Sequence, residues 1–148
     1  MNSYPMWWDT IITVYNKYND PTTRKVTWCR SIVPNCFWKY TENKLVVGET
    51  TIETSVILCR VPISKQFLEK YKWDELSETE KENYFTFGLG DIIVKGQVAD
   101  EIDEYTSGSR SSDVLNKYKN LQGCAVVQQC SINAGVGRGN EHYLVKGV

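Results

Sequence analysis

At 148 residues, with 41% hydrophobic and 24% charged residues, the chain has room for one globular domain with a single core, and its composition excludes a wholly disordered polymer. The net charge of −1 divides into +2 over Met1–Pro62, −4 over Ile63–Gly123 and +1 over Cys124–Val148. This leaves no clustered basic face of the kind a free-standing nucleic-acid binder uses to hold phosphate, although DNA passing nearby is compatible with it. Five Trp and nine Tyr raise the aromatic fraction to 12%, which favours half-buried strands, subunit contacts or both.

The N-terminal stretch Met1–Tyr15 lacks a basic segment followed by an apolar one, and no apolar run approaches the ~20 residues of a membrane span. The five cysteines, Cys29, Cys36, Cys59, Cys124 and Cys130, are odd in number and scattered. An intracellular origin with reduced, mostly buried thiols and no membrane association is the expectation.

In chain order, an aromatic arm over residues 1–9, containing Trp7 and Trp8, precedes the β-branched run Thr10–Tyr15, a strand ending at the turn formers Asn19-Asp20-Pro21. Residues Arg24–Val33 alternate, Pro34 interrupts, and Cys36–Tyr40 resumes, giving one long bent strand or two short ones. Thr41–Thr51 reads as an extended loop or minor hairpin, and Ile52–Val61 as a strand stopped by Pro62. Across 62–83 the sequence predicts helix: Ser64 can cap a turn that places Phe67, Leu68 and Tyr71 on one face, and Ser77 with Glu80 has the spacing of a capping box.

Ile92–Gly96 is a short strand bounded by glycines, with Val98–Tyr105 as its expected hairpin partner. Across 109–122 a polar loop feeds a helix whose Val114, Tyr118 and Leu121 share a face and whose stop is Gly123. A final hairpin joins Cys124–Asn133 to His142–Val145. About seven or eight strands at short intervals, with two or three short helices, define a mainly β domain: a small antiparallel barrel or sandwich with helical inserts.

Residues able to carry chemistry are few. His142 is the only histidine, and a final hairpin symmetric about Val136 would set Cys130 opposite it, a nucleophile-and-base pairing that suits a small hydrolase but more commonly means packing. The cysteine intervals fit no zinc knuckle. Gly135–Gly139 lacks the following helix of a phosphate loop; it reads as a hairpin tip whose Arg138 offers a planar fork to a neighbouring carboxylate. Asp100, Glu101, Asp103 and Glu104 on a strand would alternate between two faces, which suits a solvated edge or a surface complementary to a basic neighbour better than calcium ligation. Two adjacent Trp side chains cannot both enter one core from an extended arm, so one meets another element or another chain. No catalytic residue, cofactor or metal ligand is assigned, and the chain is expected not to be an enzyme.

Two strings and the element order resemble the head-closure or head-tail joining proteins of tailed bacteriophages. One string is Ile11-Ile12-Thr13-Val14-Tyr15-Asn16-Lys17-Tyr18 with the following Lys25-Val26-Thr27-Trp28; the other runs from Gly90-Asp91-Ile92-Ile93-Val94-Lys95-Gly96 to Ile102. The whole chain is also similar to uncharacterised phage proteins of Gram-positive hosts that carry Trp-Trp-Asp near the start and Glu-Tyr-Thr-Ser-Gly-Ser-Arg-Ser-Ser-Asp later, here Trp7–Asp9 and Glu104–Asp113. Head-closure proteins are typically shorter, so Ser64–Asn83 and Ser111–Leu121 depart from their pattern.

The resemblance implies a homo-oligomeric ring in the virion, assembled in the host cytoplasm. The ring would sit between portal or adaptor and tail, and DNA would pass through it without sequence-specific binding. It further implies that the loop after the second strand, here Thr41–Thr51 with Glu42, Asn43, Lys44 and Glu49, narrows the channel. Trp7, Trp8, the acidic residues and Arg138 are then candidate subunit contacts. Tail-terminator or minor capsid protein are alternative positions on a particle.

Overall fold

A computed structural model describes residues 5–119, 123–133 and 141–148. Its centre is a closed antiparallel barrel of six strands: β1 (Thr10–Asn19), β2 (Val26–Val47), β3 (Thr50–Pro62), β4 (Ile92–Lys95), β5 (Cys124–Asn133) and β6 (His142–Gly147), in the order β1-β2-β3-β6-β5-β4. Three short helices, α1 (Lys70–Asp74), α2 (Glu78–Lys81) and α3 (Ser111–Lys119), interrupt the strands. The expected mainly β barrel with short helical inserts is thus the fold.

β1 closes the barrel. It pairs with β2 on one edge and β4 on the other, and its five residues Ile12–Asn16 are all buried, so both of its faces are covered. Ile12 and Val14 join Val33, Cys36, Cys59, Val61, Ile93, Val127 and Val145 in the barrel interior. On the outer face, Tyr15 packs with Ile92, Val94, Val98, Ile102, Val114 and Tyr118 beneath α3. Burying each such aliphatic or aromatic side chain is worth roughly 1.5–3 kcal/mol, so β1 belongs to two cores at once.

Two expected elements do not form, and two readings left open are decided. β2 is one strand of 22 residues, which leaves six strands among the described residues where seven or eight were expected. Its ladder to β1 shifts register between Thr10 and Ile12, opposite Val33–Cys36, and Asn35 takes a left-handed φ of 61° there. The N–H that Pro34 lacks therefore falls at an irregularity, where it costs the ladder little.

The Ser64 helix does not form. Ser64 instead accepts from the backbone of Gln66, and Phe67 makes a parallel bridge with Phe85. The Phe67 ring stacks on Tyr143 at 3.9 Å and lies close to Phe85 and Phe87, so tertiary aromatic packing overrides local helical spacing. The Ser77 N-cap does form, with Ser77 Oγ accepting from Glu80 N at the start of α2. Val98–Tyr105 is not a strand: Gly96 takes φ 101° and turns the chain across the outside of β1. There Thr13 Oγ1 donates to the carbonyl of Gly96 and accepts from Val98 N, and Tyr15 Oη donates to the carbonyl of Asp100. Finally, of the two readings of Thr41–Thr51 the hairpin is the one that forms, as the end of a longer one. In α3, Val114 and Tyr118 are buried as expected and Gly123 takes φ 96°, while Leu121 lies outside the described residues.

The segment from Ser64 to Asp91 is tied to β1 by a buried polar cluster. Asp91 Oδ2 accepts from Asn16 Nδ2 (2.9 Å) and Gly88 N (2.8 Å), and its Oδ1 accepts from Lys17 N (3.0 Å). Asn16 also donates to Thr86 O and accepts from Thr86 N. Nearby, the buried Lys81 ammonium donates to the carbonyls of Asp74 and Leu76 and lies over the rings of Tyr18 and Trp73. Removing the Asp91 carboxylate strands several buried donors at once. Asp91→Ala is accordingly expected to lower stability by about 3 kcal/mol, whereas Asp74→Ala, which breaks only the exposed Lys70–Asp74 pair, stays within about 0.5 kcal/mol. Urea unfolding midpoints at unchanged slope check both.

Candidate functional site

The arm reaches the barrel at the junction of β2, β3 and β6. A turn closed by Trp8 N donating to Pro5 O sends the two indoles apart. Trp8 is buried, edge-on to His142 (5.3 Å between ring centres, 88°) and 6.3 Å from Phe37, while Trp7 is 64% exposed. Trp8 thus meets another element, the barrel, and Trp7 faces outward. Between them opens a groove of about 430 Å³ lined by Pro5, Trp7, Trp8, Phe37, Arg60, Asn133 and His142. Arg60 Nη1 stands 2.7 Å from His142 Nε2. A guanidinium can only donate, so in this pair Nε2 is the acceptor. The lone pair a catalytic base would use is occupied by Arg60.

Cys130 does not face that imidazole. The observed register pairs Cys130 with Val145 and His142 with Asn133, so the β5–β6 ladder is not symmetric about Val136. Burial pushes the Cys130 thiol up to about 11, away from thiolate chemistry. The pairing that motivated the hydrolase alternative is therefore absent from this hairpin.

The same junction launches the second feature. β2 loses its β1 neighbour after Cys36, and β3 gains β6 only from Ile57, so beyond the Tyr40–Ile57 pair the two strands run on as a free ribbon. At ~3.3 Å per residue the eight residues Tyr40–Val47 extend about 25 Å past the barrel. Gly48, at φ 65°, and Glu49 close the ribbon in a two-residue turn, the tight connection that Thr- and Val-rich strands need. Of the expected channel-loop residues, Glu42, Asn43 and Lys44 are thus strand positions and Glu49 is in the turn. Glu42, Lys44 and Glu49 are exposed. Tyr40 Oη and Ser55 Oγ, 3.0 Å apart, brace the base, while Val46 and Val47 at the tip are 67% and 57% exposed.

The acidic residues do not form a strand edge. The Asp100 carboxylate accepts from Tyr118 Oη (2.5 Å) and Lys117 Nζ (2.8 Å), latching the segment to α3. Asp103 accepts from Tyr105 N and Thr106 Oγ1 in its own turn, and Glu104 Oε1 accepts from Ser111 N at the start of α3. Three of the four are thereby local fold contacts, and Glu101 remains exposed. Arg138 lies outside the described residues.

A second concavity of about 650 Å³ lies beside α1 and α2, among Lys17, Lys70, Glu78, Lys81 and Asp91. Its Asp91, Lys70 and Lys81 are already engaged by backbone groups. Sequence reasoning missed Arg60, Phe37 and the valine tip. Arg60 was readable as the one charge inside Ile57–Val61, and the tip as Gly48-Glu49 between two β-branched runs.

The geometry defines a closed β-barrel protein that carries a projecting two-stranded ribbon and an aromatic groove at its root. A family model described as a family of unknown function, DUF6751, matches residues 7–148, and the chain belongs to that family. No curated protein and no solved structure matches it. Among the described residues, no helix is long and apolar enough to cross a membrane.

The hydrogen bonds from Lys117 and Tyr118 hold the Asp100 carboxyl below the usual carboxylate range. A lowered folded value contributes stability above the unfolded value near pH 4, and that contribution is lost as pH falls through the folded value. Asp100 is part-exposed and its Lys117 partner is exposed, so solvent screening keeps the contribution below about 1 kcal/mol. Asp100→Asn should show that small deficit in urea unfolding at pH 7 and lose it at pH 2.

Proposed function

We propose that this chain is a structural subunit of the head-to-tail connector of a tailed bacteriophage, forming a ring between portal or adaptor and tail that retains and conducts DNA. The observation that carries the reading is the ribbon. An isolated two-stranded hairpin is at best marginally stable in water, and this one holds apolar side chains out at its tip, so it calls for a protein surface to lie against. A closed barrel offers few free strand edges and remains rigid beneath it.

The resemblance of Ile11–Trp28 and Gly90–Ile102 to head-closure proteins supplies the setting. A ring needs two different complementary patches on each subunit and no catalytic group, and the ribbon and the groove are two such patches. Exposed Glu42, Lys44 and Glu49 mix both signs along the ribbon, which suits a channel wall that DNA passes without adhering.

Purified particles test the reading by mass spectrometry and gold-labelled antibody in electron micrographs. The chain is expected in particles, with label at the neck, and deletion of its gene should yield filled heads that lack tails. Particles that assemble normally without it would overturn the connector role, and label along the capsid or at the tail tip would move it to another structure.

A further inference from the structure

The ribbon tip and the aromatic groove are opposite in character and lie on the same chain, yet they cannot meet within one molecule. The groove abuts the Phe37–Arg60 pair at the root of the ribbon, and the eleven steps from Phe37 to Gly48 carry the tip roughly 35 Å away at ~3.3 Å per residue. The tip is a narrow knob: Val46 and Val47 project to opposite faces of a two-residue turn and Glu49 adds a carboxylate. The groove is lined by Trp7, Trp8 and Phe37, with Arg60, bound to His142, in the same lining. Apolar knob against aromatic walls and carboxylate against guanidinium are complementary in both shape class and charge.

We propose that the ribbon tip of one copy of this chain seats in the aromatic groove of a second copy, with Val46 and Val47 against Trp7 and Phe37 and Glu49 facing Arg60. The contact deepens the ring reading above and rests on it for closure. It uses two different patches, so each subunit gives its tip to one neighbour and receives the tip of another, and repetition of one such rotation closes a ring. The ribbons then span from subunit to subunit as the ring wall, and the exposed indole of Trp7 is covered.

The test is complementation between two surface variants, followed by analytical ultracentrifugation of the full chain. Val47→Asp removes the knob and Trp7→Asp spoils the slot. Both positions are exposed, so circular dichroism and melting temperature should match the unmodified protein. The unmodified chain is expected to assemble beyond a dimer with rising concentration, and each variant alone to remain monomeric. An equimolar mixture should form a 1:1 pair and nothing larger, because the good tip of the Trp7→Asp chain meets the good groove of the Val47→Asp chain. Glu49→Lys should weaken assembly at least tenfold.

A mixture that stays monomeric while the unmodified protein assembles would overturn the contact, as would dimerisation of Trp7→Asp alone, which would mean tips pair with tips. An unmodified chain that stays monomeric throughout would overturn it too. None of these outcomes touches the location of the chain in particles, on which the connector reading stands separately.

Discussion

Every strand must place its backbone N–H and C=O groups in hydrogen bonds or in water, and closure of the barrel by β1 meets that demand for the barrel ladder. β1 can sit between β2 and β4 because its two faces enter separate cores, Ile12 and Val14 inside and Tyr15 beneath α3. The polar residues of the same strand complete the closure. Asn16 holds the Thr86–Asp91 turn and Thr13 holds the Gly96–Val98 crossing, so both long excursions of the chain are anchored on one strand. The ladder ends where β2 and β3 outrun their neighbours, and there the fold leaves paired strands with two open edges and an exposed apolar tip.

The closed body carries one long protrusion, with the aromatic groove at its root and the exposed valines at its end. At the root, Arg60 donates to His142 Nε2 and Trp8 covers the ring, so the only histidine serves as a wall of the groove. Surfaces of this kind recognise by shape and burial, and their consequences appear when a second molecule is present.

Much of the barrel was legible in the residues. β-Branched runs between turn formers located β1, the capping-box spacing at Ser77 located α2, and the Val114–Tyr118 spacing with Gly123 located α3. The misreadings share one cause, which is that local pattern does not contain its tertiary partner. Phe67, Leu68 and Tyr71 have helical spacing, but Phe67 is drawn into a stack with Tyr143 and Phe87. Val98–Tyr105 follows Gly96 where a hairpin partner would stand, yet its carbonyls are taken by Tyr15 and Arg30. Asp100 and Glu104 look like a surface patch and are acceptors for α3. The register of the last hairpin sets Cys130 opposite Val145 and His142 opposite Asn133, and no sequence period encodes that offset. The groove was the least visible feature, since it joins Trp7, Arg60 and Asn133 from distant parts of the chain.

The central claim is that the ribbon is an assembly element left uncovered in the isolated protein, and hydrogen exchange compared between isolated chain and intact particles addresses it most directly. The amides of residues 41–47 and 50–56 should exchange rapidly in the isolated chain and become strongly protected in the particle, while those of β1 and β6 stay slow in both. Ribbon amides that exchange equally fast in both states would contradict the account.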